Sequence, residues 1–159
     1  MQDNEYAPPP SSPKQILTTM TILHLALTGG TVIISTVFFM LQQPPQLPES
    51  AQLFLVIALA VCVGGILAGN FIGNAQLGVI RQKKSLLEKL RAYQTTLIIR
   101  LALLEGSAVF CAIIYFLTGN IYVFGGTALI LIFMLLNRPS ASKISSDLEL
   151  NASERSELE

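Results

Sequence analysis

Tryptophan is missing from the sequence, histidine occurs once, cysteine twice, and charged side chains make up only 13% of the 159 residues. So few His and Cys exclude a zinc cluster, and two cysteines exclude a disulfide framework. Cys62 and Cys111 both fall inside apolar runs, where they read as small buried hydrophobes. Ten basic and ten acidic side chains cancel to zero net charge, so no overall field recommends nucleic acid as a partner. No nucleophile with a base, no phosphate-cradling glycine loop and no metal-ligand spacing occurs. The residues point away from an enzyme, a metal site or a cofactor.

What is abundant is apolar surface: 52% of the residues are hydrophobic and the mean hydropathy is +0.58. A soluble domain this small could not bury that much. About 20 apolar residues cross a hydrocarbon core roughly 30 Å thick, and the segments Ile16 to Leu41, Gln52 to Gly73, Leu97 to Leu117 and Ile121 to Leu136 qualify. The last is short, and spans only where the bilayer thins or flanking residues reach the interface. Each run is continuously apolar, which implies helices and not alternating barrel strands. The expected fold is an all-α membrane protein with four transmembrane helices over residues 16–138. A stiff Pro-rich leader precedes it over 1–15, too acidic before Lys14 to be a signal peptide, and a tail follows over 139–159.

Basic residues set the orientation, since short loops rich in Lys and Arg stay on the cytoplasmic side. The connection between the second and third spans carries Arg81, Lys83, Lys84, Lys89 and Arg91 against the acid Glu88. The connections Gln42 to Ser50 and Thr118 to Asn120 carry no base. This predicts a multi-pass membrane protein with both termini on the cytoplasmic side. The basic connection also keeps helical character. Ser85-Leu-Leu-Glu88 has capping-box spacing, so the third helix is expected to begin near Leu86 and the second to continue past Gly73 toward Arg81. Together they predict a cytoplasmic helical hairpin over about 74–96, with Arg81, Lys83 and Lys84 as a candidate docking tip for a partner or for anionic lipid heads, or as a solvated turn that only sets topology.

Gly65, Gly69 and Gly73 recur every fourth position, with Gly64 in a parallel row beside Ala60 and Ala68. Such small-xxx-small repeats let another helix approach closely, either the third helix or a second copy of the chain. Arg100 and Glu105 lie within the third apolar run, where charge is costly. Counting depth from the cytoplasmic side brings Glu105 level with His24 of the first span, with Arg100 and Asn70 about a turn closer to the cytoplasm. These four residues form the candidate intramembrane polar site. Glu105 is expected to face a partner such as His24 or Arg100, or to stay protonated. It then either carries a proton or ion, or fixes helix register through a structural bond. In the tail, Asn151-Ala-Ser-Glu154 behind Leu150 predicts a short capped helix, and the tail acids oppose the basic connection in sign.

The run Glu88 to Phe110, with Tyr115-Phe-Leu-Thr-Gly-Asn120, Asn137-Arg-Pro139 and Asp147-Leu-Glu-Leu150, resembles an uncharacterised family of small four-span membrane proteins from Bacteroidota. That likeness covers nearly the whole chain and implies the architecture without an activity. Over Ala60 to Leu117 the glycine row and Glu105 in Leu104-Glu-Gly-Ser-Ala108 also resemble the proteolipid c subunit of rotary ATP synthases, which implies that Glu105 binds a proton. The chain differs from that subunit by its long helical loop, by Arg100 and by two additional spans. The expected role is that of a non-enzymatic accessory or interaction protein of the lipid bilayer, with a membrane-protein partner or a homo-oligomer. The alternative is proton or ion handling through Glu105.

Overall fold

A computed structural model describes residues 12–42 and 51–158, and across them the chain is helical with no strand. The helices are α1 (Pro13–Leu41), α2 (Ala51–Arg81), α3 (Leu86–Thr118), α4 (Ile121–Leu136), α5 (Ala141–Asp147) and α6 (Ala152–Ser156). Three of them, α1, α2 and α3, are each long and apolar enough to cross a membrane. A fourth crossing exists only if α4 and α5 count as one span, and the two are bent by 86° at Asn137 to Ser140. The reason is length: the 16 residues of α4 reach about 24 Å at 1.5 Å per residue.

Local chemistry explains each boundary. Ser12 caps α1 by accepting from the Gln15 N–H, Gln15 reaches back to the Ser12 N–H, and Pro13 occupies the first turn, where a missing N–H costs nothing. The last residues assigned to the leader therefore belong to α1, while residues 1–11 lie outside those described. So does nearly all of the Gln42 to Ser50 connection. Residues 82–85 join α2 to α3, and Ser85 Oγ accepts from the Glu88 N–H at 3.2 Å. Only that half of the expected capping box forms, because no return bond from the Ser85 N–H to the Glu88 carboxylate is made. The turn from α3 to α4 is tight because Gly119 takes φ 65°, a left-handed conformation that glycine adopts without a Cβ clash, and its N–H closes on Tyr115 O at 2.7 Å. Asn120 then caps α4.

The packing is inside-out by the standards of a protein in water. On α1 the buried side chains are Ile16, Met20, His24, Thr28, Thr31 and Ser35, while Ile22, Leu25, Ile33, Phe39 and Met40 are exposed. A water-soluble helix buries its apolar stripe. The reverse arrangement fits an apolar solvent, in agreement with the length and composition of these helices.

α3 is central, packed against α2, α1 and α4. The glycine row on α2 is what lets α3 approach. A Cβ on Gly65 would meet Ser107, one on Gly69 would come within 3.3 Å of Arg100 Cγ, and one on Gly73 within 3.9 Å of Arg100 Cδ. Gly64 meets nothing within 4 Å, so the parallel row faces away from α3. Cys62 and Cys111 are buried free thiols that meet beside Gly126 of α4, lining an apolar cavity of about 330 Å³ where α2, α3 and α4 converge. At the end away from the basic connection, Phe39, Tyr115 and Phe124 cluster with centroids 4.8 to 5.9 Å apart, Phe39 and Tyr115 stacked and Phe124 tilted against both.

Candidate functional site

The four candidate polar residues separate into two places. Arg100 and Asn70 come together: Arg100 Nη2 donates to Asn70 Oδ1 at 2.6 Å and to Asn137 Oδ1 at 3.2 Å. Its guanidinium lies 5.7 Å from the Phe133 ring centroid, within cation–π range. Glu105 is elsewhere on α3, on the side that faces Gly30 of α1, where a Cβ on that glycine would lie 4.0 Å from Glu105 Oε1. Glu105 makes no hydrogen bond or ion pair among the described residues, with Arg100 or with His24. His24 is buried, and its Nδ1 has no hydrogen-bond partner there. Thr28 Oγ1 and Ser35 Oγ on the same stripe of α1 are likewise buried without partners. The α1–α3 seam thus carries polar groups in an apolar setting, and Glu105 stands beside it.

The Arg100 neighbourhood is a cavity of about 240 Å³ where α2, α3 and α4 meet the tail. Gly73, Asn74, Thr96, Arg100, Asn137, Lys143 and Asp147 contribute to its walls. Thr96 Oγ1 donates to Gln76 Oε1, the Tyr93 hydroxyl donates to Asp147 Oδ2 at 2.7 Å, and Lys143 Nζ donates to Asn137 Oδ1 at 3.0 Å. Asn137 is held in place by its own amide, which donates to Phe133 O at 2.8 Å. Sequence reasoning missed Asn137 as a partner of Arg100, and Lys143 as a second donor to Asn137. Depth counting contains the signal, since Arg100 stands three residues inside its apolar run and Asn137 directly follows the fourth one.

The tail folds onto the ends of α2 and α3. Lys89 Nζ meets Glu154 Oε1 at 2.7 Å with side chains only 12% and 15% exposed. Arg81 pairs with Glu149 at 2.7 Å in a more exposed contact, and its Nε donates to Asp147 O at 2.8 Å. Ile144, Leu148, Leu150 and Leu158 are buried in the same apolar cluster as Ile80, Leu86 and Leu90. The ammonium of Lys89, helped by the Asn151 N–H, holds the Glu154 carboxyl below the usual glutamate range. Of the three residues expected at the docking tip, Arg81 is thus occupied by the tail. Lys83 and Lys84 are exposed, and their side chains carry no hydrogen bond or ion pair among the described residues.

Compared with known proteins, the chain matches no family model, no curated protein and no solved structure. The functional reading therefore stands on the chain's own residues and geometry.

Proposed function

We propose that the chain is a multi-pass protein of a bacterial cytoplasmic membrane with its termini and basic connection inside. It works as a non-enzymatic accessory or interaction protein that docks a membrane partner, or a second copy, at the end of the α2–α3 hairpin. The observation that carries this reading is the different treatment of neighbouring bases. Arg81 and Lys89 are tied down by the tail, which braces the end of the helix pair, while Lys83 and Lys84 at its tip stay exposed. A braced, basic, outward-facing tip suits recognition of an acidic surface, and charge complementarity of that sort governs encounter and specificity. The Lys and Arg bias of the same connection supports the orientation.

Two measurements test it. Reporter fusions at residues 46 and 84 should fall on opposite sides of the membrane. A photo-crosslinker at Gln82 in native membranes should give a discrete adduct that disappears in the Lys83→Glu, Lys84→Glu double variant. An adduct pattern indifferent to that charge reversal would defeat the docking role.

Proton or ion handling through Glu105 is the second reading. It is favoured by a carboxyl group that has no hydrogen bond or ion pair among the described residues and lies against Gly30 of α1, the helix that also carries the buried His24, Thr28 and Ser35. Dicyclohexylcarbodiimide should then label the wild type and not the Glu105→Gln variant. Absence of labelling in membranes would remove this reading.

A further inference from the structure

Two cations converge on one neutral atom. The Arg100 Nη2 and Lys143 Nζ distances to Asn137 Oδ1, 3.2 and 3.0 Å, bound their mutual separation at about 6 Å. Like charges so close, at the end of an apolar bundle, repel each other strongly unless an anion lies between them. Neither cation makes an ion pair with a carboxylate of the described residues, and the charge of Asp147, in the same cavity, acts on Arg100 without an ion-pair contact. The other acceptor on Arg100 is the amide oxygen of Asn70. Arg100 Nε is buried with no partner among the described residues. Asp147 reaches the cavity wall, where its Oδ2 accepts from Tyr93.

We infer that this cavity binds a phosphate-bearing anion, with Arg100 and Lys143 as its two cationic contacts. A guanidinium offers two parallel donors matched to phosphate oxygens, and an ammonium adds a point charge beside them. At about 240 Å³ the cavity is smaller than the roughly 300 Å³ at which pockets for drug-sized ligands begin, which suits a headgroup or a small anion. Two cations against the one carboxylate of Asp147 leave a single net positive charge, the complement of a phosphodiester monoanion. Arg100 stands only three residues inside its apolar run, and Asn137 caps the end of α4, so the site lies at headgroup depth in the hairpin-side leaflet. The shared chemistry is the phosphate group, supplied either by an anionic lipid or by free phosphate.

The test uses the full chain. In nanodiscs of phosphatidylcholine with and without phosphatidylglycerol, native mass spectrometry after ejection reads the lipid retained. In detergent, thermal unfolding is followed against added inorganic phosphate. Retained phosphatidylglycerol identifies the lipid source, whereas a midpoint that rises with phosphate identifies the soluble one. In either arm Lys143→Gln should weaken binding roughly tenfold or more, as expected for loss of a charged hydrogen bond, and Lys143→Arg should restore most of it. Arg100→Gln should abolish binding; should that variant not fold, the Lys143 pair decides alone. The inference is overturned if neither probe binds, or if Lys143→Gln binds like the wild type. Lys83→Glu, Lys84→Glu should leave binding here unchanged, so failure of the docking role and failure of this site are told apart.

Discussion

Gly65→Ala puts the α2–α3 contact to a quantitative test. A Cβ at this position would lie 2.0 Å from Ser107 Oγ and 2.8 Å from Ser107 Cβ. Turning the hydroxyl aside, at the expense of its 2.8 Å bond to Leu103 O, relieves the first clash. It cannot relieve the second, because Cβ moves only with the backbone, so the helices must part. Overpacking of this kind costs about 1–3 kcal/mol. Replacing a helical glycine by alanine returns about 0.5–1 kcal/mol in backbone entropy, leaving a net destabilisation of roughly 0–2.5 kcal/mol. The other glycines supply a graded series. Gly69→Ala meets the flexible stem of Arg100 at 3.3 Å, Gly73→Ala meets it at an ordinary 3.9 Å, and Gly64→Ala meets nothing within 4 Å. The first should be near neutral, and the last two stabilising by the entropy gain alone. Adding Ser107→Gly to Gly65→Ala removes both clashing atoms and leaves Leu103 O at 3.4 Å, so the double variant should recover most of the loss. Reversible unfolding in one detergent, at one oligomeric state, measures all of these. Equal stability of Gly65→Ala and Gly64→Ala, or no rescue by Ser107→Gly, would refute the packing argument.

Leu148 is 1% exposed, so Leu148→Ala should cost about 2–5 kcal/mol of tail docking, read as faster hydrogen exchange in α5 and α6 with α1 to α3 unchanged. Glu154 is held below its usual range by Lys89. Its contribution is therefore complete above about pH 4.3 and fades as pH falls through the lowered value. Protection of α6 amides, taken relative to their intrinsic exchange at each pH, should fall in acid, and Lys89→Ala should abolish that acid step. Cys62 and Cys111, 3% and 1% exposed, should resist iodoacetamide until the protein is unfolded.

The apolar runs marked the helices well because lipid allows a backbone few alternatives to intrahelical bonding. Ser85 announced the start of α3, and Asn151 with Glu154 announced α6, where both halves of the capping box form. The same rule applied to Ser12 and Gln15 would have moved the start of α1 out of the leader. Which residues meet across helices was harder to read. Depth gives height along a helix and leaves azimuth open, and azimuth sends Glu105 toward Gly30 while Arg100 turns toward Asn70 and Asn137. Lys143 was invisible for another reason. It reaches the membrane end of α3 only because the chain bends by 86° after α4, a tertiary event that no periodicity records.

That bend ties the tail to the cavity. Lys143 and Asp147 belong to α5 and form part of the cavity wall. The residues that follow them are anchored on α2 and α3 through Arg81, Lys89 and the buried Leu148, Leu150 and Leu158. Releasing the tail therefore removes one of the two cations and opens the wall, so tail docking and anion binding must be thermodynamically coupled. Coupling of this kind is reciprocal: whatever free energy the docked tail adds to anion affinity, the anion returns to tail docking. Lys89→Ala, remote from the cavity, should then weaken phosphatidylglycerol retention to the extent that it releases the tail, up to the factor by which saturating lipid slows opening of the tail. A variant that frees the tail and keeps its full affinity would show that Lys143 contributes nothing to the anion's binding.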